Sequence, residues 1–291
     1  MDRMSPPETT PTQREAALLR ELRGLGRVLV AFSGGVDSTF LLQAALAALG
    51  AENVLAATLA PPYAARAEVE EAVRLAGALG ARHRLLPVPF PEAVRDNPPD
   101  RCYRCKRLLF SRLLELAASE GLDRVADGTN RDDLGDYRPG LAALAELGVA
   151  SPLAAAGLTK ADIRALSRQR GLPTWDKPSA PCLLTRLPHG ARVVEADLVR
   201  VEQGETVLRE LGFPGARLRL HGDLARIEVP AASIAELAAA AAANDLPGRL
   251  GRLGLRHVTV DLAGYRTSRP NQPASGGETE SEDAWTPKRR S

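Results

Sequence analysis

Lysine is nearly missing from this chain. Of 38 basic residues only Lys106, Lys160, Lys177 and Lys288 are lysines, and arginine supplies the rest. That bias alone assigns no function. No apolar run approaches the ~18 residues of a membrane span. The N-terminus lacks the basic and apolar regions of a signal peptide, so the expected location is cytoplasmic. A strong charge of either sign is missing too. The formal net charge of +2 argues against a dedicated nucleic-acid binder, although a local basic patch stays open. Cysteine is scarce and odd in number, with three in all. In a reducing compartment disulfides are not expected, which leaves the thiols free for metal binding or chemistry. No internal repeat is present.

What is present suffices for a substantial core. The chain has 291 residues, 44% of them hydrophobic, enough for one large domain or two ordinary ones. Residues 1–13 and 267–291 are polar and rich in Pro, Ser, Gly or acid, and both are expected to be unstructured. Trp285 in the second of these reads as incidental. Between them, strands expected at 27–32, 54–59, 82–88 and 123–127 alternate with helices at about 37–49, 64–79 and 103–120. That rhythm is the mark of βαβ units and a parallel sheet, whose ligands sit at the strands' carboxyl ends. It fills a first domain, 14–175. A second, 176–266, reads as smaller and α+β, with helices near 194–211 and 231–243 and strands near 216–221, 224–229 and 256–262.

The stretch Ser33-Gly34-Gly35-Val36-Asp37-Ser38 lies where the first strand becomes the first helix of that rhythm. Glycines let backbone approach a ligand closely, and the helix start offers free N–H groups and a positive dipole end, which suits phosphate. Ser33 and Ser38 add hydroxyl donors. Asp37 repels phosphate and makes sense beside it by holding Mg²⁺. The loop carries no lysine of the kind that kinases and GTPases place on the β- and γ-phosphates. A cradle for departing pyrophosphate puts the reaction at the α-phosphate instead, and its product is an adenylate. The bland alternative is an ordinary capped glycine turn.

SGGVDS resembles the fingerprint of the PP-loop ATP pyrophosphatases, a superfamily that includes NAD synthetase, GMP synthetase and tRNA-thiolating enzymes. The resemblance implies an α/β fold: a parallel-sheet PP-loop domain (adenine nucleotide alpha hydrolase-like) followed by the smaller α+β domain. It implies ATP and Mg²⁺ as cofactors. It also implies that Thr58 meets adenine and that Asp127, Gly128, Thr129 and Asn130 lie near the ribose and phosphates.

Cys102 and Cys105 form C-x-x-C at a loop-to-helix junction, and Cys182 stands far downstream. Three thiolates can bind three irons of a [4Fe–4S] cluster and leave the fourth iron open. Zinc, with His189 as a fourth ligand, is a second reading. Three unrelated buried thiols are the third.

The segments NPPDRCYRCKRLLF, DDLGDYRPG, CLLTRLPHG, LHGDLARIEVP and HVTVDLAGYRTSRPN resemble the LarE family of ATP-dependent sulfur transferases, over roughly residues 14–271. This implies adenylation of pyridinium-3,5-biscarboxylic acid mononucleotide and replacement of its carboxylates by thiocarboxylates, for the nickel-pincer cofactor of lactate racemase. One kind of LarE sacrifices a cysteine sulfur; another carries sulfide on a three-cysteine [4Fe–4S] cluster. The cysteine inventory resembles the second, which needs an external sulfide source. Positioning sulfide against an activated acyl carbon is worth up to ~7–11 kcal/mol. An anionic substrate calls for arginines, and Arg186, Arg138, Arg217 and Arg219 are the candidates. Arg217 and Arg219 alternate on one strand and so share a face. A solvated strand face is the alternative. Glu205 and Glu228 are candidate cation ligands. The resemblance also implies a homo-oligomer, with a hexamer as one arrangement, and no nucleic-acid or membrane partner. Two rival functions remain at this point: a tRNA 2-thiolase with a similar cluster, and a zinc-stabilised nucleotide-binding protein without turnover.

Overall fold

The computed structural model describes residues 10–135 and 139–265. Arg138 and Trp285 lie outside the described residues.

Four short strands build the first sheet. They are β1 (Val28–Ala31), β2 (Val54–Ala60), β3 (Arg82–Pro87) and β4 (Arg124–Ala126), in the spatial order β3-β2-β1-β4. Every pairing is parallel, with Val28 opposite both Val54 and Arg124. β1 and most of β2 are buried, as strands covered on both faces must be. β3 lies at the sheet edge and exposes Arg82 and Arg84, which pair with Glu120. Helices α2 (Val36–Leu49), α3 (Arg66–Ala78) and α4 (Arg101–Ser119) follow the first three strands. α2 is apolar nearly all round and buries Phe40, Leu41, Leu42, Ala44 and Ala45.

Several helices were not expected from periodicity. Residues 10–13 belong to a capped helix, α1 (Pro11–Leu25), although they fall in the segment expected to be unstructured. The reason is local and tertiary. The Thr10 N–H donates to the Gln13 side chain and the Gln13 N–H to the Thr10 hydroxyl, while Leu18 and Leu22 are fully buried. After β4 come α5 (Pro139–Glu146), α6 (Pro152–Ala155) and α7 (Lys160–Gln169). α7 carries a second capping box, Thr159 with Asp162.

The second unit is built on α8 (Glu195–Glu210) and a sheet of β5 (Arg217–His221), β6 (Leu224–Glu228) and β7 (His257–Val260). β5 and β6 are antiparallel; β6 and β7 are parallel. α9 (Ile234–Ala243) and α10 (Leu246–Gly251) connect them. The core of this unit is not its own alone. Tyr63, Phe90 and Val94, from loops after β2 and β3, are buried with Leu183, Leu184 and Leu198. The two units are therefore joined by shared apolar packing at the edge where the first sheet's strands end.

Asp162 fastens α1 to α7. Burial disfavours its charge, but the N–H and hydroxyl of Thr159 and the Arg14 guanidinium, 2.6 Å away, outweigh burial and hold its pKa below the usual range. A lowered folded pKa contributes stability above the ordinary Asp value of about 4, and that contribution is lost as pH falls through the folded value. Asp162→Asn is expected to cost about 1.5–3 kcal/mol at pH 7. The gap to the parent should narrow below pH ~4, as read by urea unfolding across pH.

Candidate active site

β1 delivers the chain to the phosphate-loop candidates. Gly34 has φ of +68°, and a Cβ there would lie 3.0 Å from the Ala72 backbone on α3. Only glycine fits both the left-handed conformation and that approach. The serines then close the loop on itself. The Ser38 hydroxyl donates to the Gly35 carbonyl at 3.3 Å and lies 3.1 Å from the Ser33 hydroxyl, which accepts from the Gly35 N–H. Gly35 caps α2 without a side-chain bond, so the first turn points its N–H groups outward from the helix start.

The loop has no lysine in sequence, yet lysines reach it in space. Lys160 Nζ, from the first position of α7, lies 2.5 Å from Asp37 Oδ2. Asn130 Nδ2 donates to the other Asp37 oxygen at 3.5 Å. Lys177 donates to the Gly34 carbonyl at 3.2 Å and pairs with Glu68 and Glu71 at 2.8 Å each. Burial disfavours the Lys177 charge, but the two glutamates prevail and its pKa is raised. Lys106 Nζ stands 3.6 Å from Asp127. All three lysines of the described residues thus gather at the carboxyl edge of the sheet, a grouping that sequence reasoning missed. Their rarity in an arginine-rich chain was the available signal.

The residues expected around the nucleotide are at the strand ends, with their side chains committed to the protein itself. The Thr58 hydroxyl donates to the Phe32 carbonyl and meets His83 Nε2, both at 2.8 Å. It fixes the residue just before the loop, and burial lowers the His83 pKa. Asp127 accepts from the Thr129 N–H and hydroxyl and from Ser151. It shapes the turn that brings Gly128 against α2, where a Cβ would lie 3.1 Å from the Ser38 nitrogen.

Cys102 and Cys105 occupy the first turns of α4, and Cys182 immediately precedes a short turn, Leu183–Arg186. All three are free and half-buried. Burial pushes the Cys105 thiol up to about 11; a hydrogen bond from Tyr63 works the other way, and negative charge on Cys182 and Cys102 adds to the rise. The Cys182 thiol is also pushed up, by burial first and then by Cys102. The three sulfurs therefore sense one another. His189, the suggested fourth zinc ligand, turns its ring to Arg101, whose Nη1 lies 2.8 Å from Nδ1. Burial and that guanidinium lower the His189 pKa. Among the described residues no three His, Cys, Asp or Glu side chains gather closely enough to hold one metal ion.

Beside Cys182 opens a cavity of about 520 Å³ lined by Arg101, Arg186, Arg217, Arg219 and Arg226. The face expected to be shared by Arg217 and Arg219 is present. Arg186 is held differently from a free substrate ligand. Its guanidinium donates two hydrogen bonds to Glu205, at 2.8 and 3.1 Å, and donates to the Pro181 carbonyl and the Thr185 hydroxyl. It holds the Cys182 loop in place. Arg219 donates twice to Glu228, which also pairs with Arg226. The cations at Glu205 and Glu228 are thus guanidiniums. Arg217 donates to the Ser179 carbonyl, while Arg217 Nε and Arg226 Nε are buried without a hydrogen-bond partner among the described residues. Burial, then Arg186, lowers the Arg217 pKa. Two orphaned donors in a cationic cavity suit an anionic ligand.

Comparison with known proteins agrees with this geometry. The family described as NAD synthase matches residues 18–97, the part that holds the phosphate loop. Parallel sheet and loop together define an ATP-dependent enzyme of the PP-loop class. The chain is 39% identical over 265 residues to the pyridinium-3,5-bisthiocarboxylic acid mononucleotide synthase of Lactiplantibacillus plantarum, covering 90% of this chain and 95% of that one. An uncharacterised Synechocystis protein is 40% identical, over 87% and 96% of the two chains. An uncharacterised Methanocaldococcus jannaschii protein is 30% identical, over 70% and 77%. The chain belongs to the family of the Lactiplantibacillus plantarum synthase, the LarE family. Among the described residues no helix is long and apolar enough to cross a membrane.

Lys160 is positioned to bring positive charge to the loop beside Asp37. Lys160→Met is expected to slow pyrophosphate release by about 10²-fold, the size of loss seen when one donor to a developing charge is removed. Steady-state pyrophosphate assays with ATP and substrate will read it.

Proposed function

We propose that the protein adenylates the carboxylates of pyridinium-3,5-biscarboxylic acid mononucleotide and exchanges each activated oxygen for sulfur. The observation that supports this reading is the contact of the C-x-x-C segment with the turn beside the phosphate loop. Lys106, next to Cys105 in sequence, reaches Asp127 of the turn that packs on the loop. The arginine-lined cavity is bordered by Pro181 and Thr185, which flank the Cys182 turn.

The chain's groups divide the work. Ser33, Gly34, Gly35, Val36 and Ser38 cradle the phosphates that depart, through N–H groups at the start of α2. Asp37 would hold Mg²⁺, which when bound neutralises charge on pyrophosphate. Thr58, Asp127 and Gly128 shape the walls around the nucleoside. A carboxylate oxygen is a poor leaving group, and AMP is a good one, so attachment to the α-phosphate must precede sulfur transfer. Arg217 and Arg219, with Arg138, bind substrate phosphate and carboxylate by charge-assisted hydrogen bonds.

The donor set of Cys102, Cys105 and Cys182 fits a [4Fe–4S] cluster. Burial and the neighbouring cysteines raise the Cys105 and Cys182 thiols, a rise that a cationic centre relieves, and a cluster binds each sulfur to a different iron. A single zinc ion would need all its sulfurs within about 2.3 Å of one point. The cluster, when bound, supplies an open iron for sulfide. The chain's residues hold its ligands rigidly, with Arg186 fixing the Cys182 loop and α4 fixing the other two.

Anaerobic protein with ATP, Mg²⁺, sulfide and the biscarboxylate nucleotide should yield the bisthiocarboxylate by mass spectrometry. Asp37→Ala is expected to abolish pyrophosphate release. Cys105→Ala is expected to keep adenylation and lose sulfur transfer. Full sulfur transfer by that variant would remove the thiols from the reaction. A salt-dependent shift of tRNA would favour a thiolase acting on RNA.

A further inference from the structure

Tyr63 was no part of the sequence-derived site, and its surroundings are unusual. The residue follows β2 on the loop at the carboxyl edge of the sheet and is 2% exposed. Its hydroxyl lies 3.0 Å from the Cys105 sulfur, 42 residues away. Among the described residues that sulfur is the hydroxyl's one hydrogen-bond partner. Two contacts hold the ring and backbone. The Tyr63 carbonyl accepts from the Leu183 N–H at 3.0 Å, one residue beyond Cys182. The ring packs edge-on against Phe90 at 5.5 Å. Phe90 in turn lies under the Arg95 guanidinium, 4.0 Å from its centroid. A tyrosine in this core position could have been a phenylalanine unless its hydroxyl has work to do, because a buried polar group without a partner costs free energy.

We infer that Tyr63 is a positioning residue whose O–H donates to the Cys105 sulfur, making the three sulfur ligands electronically unequal. The inference rests on the reading of the cysteines as iron ligands. The direction of the bond follows from chemistry. A protonated thiol and a phenol can each donate, but a sulfur bound to iron carries no proton, and the phenol is then the donor. Cys182 is served differently, by the backbone N–H of Leu184. A side-chain donor on one ligand sulfur and a backbone donor on another withdraw electron density unevenly. Hydrogen bonds to sulfur are among the factors that set a cluster's reduction potential. Because the Tyr63 carbonyl also anchors the Cys182 loop, one residue fixes both the spacing of two ligands and the electron density on one of them.

The test is a series at one position in the full-length protein. Wild type, Tyr63→Phe and protein carrying 2,3-difluorotyrosine at 63 are reconstituted anaerobically with iron and sulfide. Iron and acid-labile sulfide are counted, and the midpoint potential is measured by redox titration followed in the visible spectrum. The expected order runs from phenylalanine, most negative, through tyrosine to difluorotyrosine, least negative, because the fluorinated phenol is the stronger donor. A residue that only fills space would not give an ordered series. If Tyr63→Phe fails to load iron, the tyrosine and difluorotyrosine pair still decides the matter. Equal potentials in loaded proteins would overturn this inference and leave the cluster reading intact. Wild type that takes up no iron would overturn the cluster reading, and the role of Tyr63 with it.

Discussion

The site is governed by a steric limit at Gly34. With the α3 backbone only 3.0 Å from where a Cβ would be, the loop cannot carry a bulky side chain at its turn. It therefore presents backbone and small hydroxyls, and its positive charge must arrive from elsewhere. The helix start supplies part of it. The remainder comes from Lys160 and Lys177, which lie 123 and 143 residues from their partners in the loop. The supporting structure from β4 to α7 can be understood as the device that carries Lys160 to Asp37. The capping box at Thr159 and the Asp162–Arg14 pair fix the first turn of that helix against α1.

A second constraint joins the two halves of the chain. Cys102 and Cys105 stand on α4, in the first unit, while Cys182 begins the second. Cys105 and Cys182 pack against one apolar cluster that buries Tyr63, Phe90 and Val94 with Leu183 and Leu184, and Asn97 adds polar ties. The fully buried Asn97 amide donates to the carbonyls of Leu184, Leu187 and Pro188. A single side chain thereby organises the turn after Cys182 from the loop before Cys102. Asn97 itself adopts a positive φ of 45°, conformational strain that its three bonds offset.

How much of this was readable in the sequence depended on distance along the chain. The phosphate loop, the C-x-x-C turn and the βαβ rhythm are local patterns, and each was found where expected. Arg217 and Arg219 shared a face because strand alternation is local too. The lysines escaped notice because nothing within a few residues of Lys160 or Lys177 speaks of Asp37 or Gly34. Arg186 was read without its partner Glu205 for the same reason. Nineteen residues separate it from Glu205, and only the packing of α8 brings the carboxylate to it. α5 and α6 are short and alanine-rich, so their periodicity is weak, whereas α7 is amphipathic and legible from its buried Ile163 and Leu166. The Thr159–Asp162 cap was a second signal there.

The division between arginine and lysine follows from what each can do. Arg186 and Arg219 are each held by several groups at once, as a planar fork with five donors allows. They act as rigid wall, and the buried orphan donors of Arg217 and Arg226 complete a surface organised before an anion arrives. Lysine carries a point charge on a flexible stem. Beside the β1–α2 loop Lys160 and Lys177 each place such a charge on carboxylates. A chain that uses arginine nearly everywhere thus sets its three described lysines around the β1–α2 loop and the turn beside it, and lines the cavity next to Cys182 with arginines.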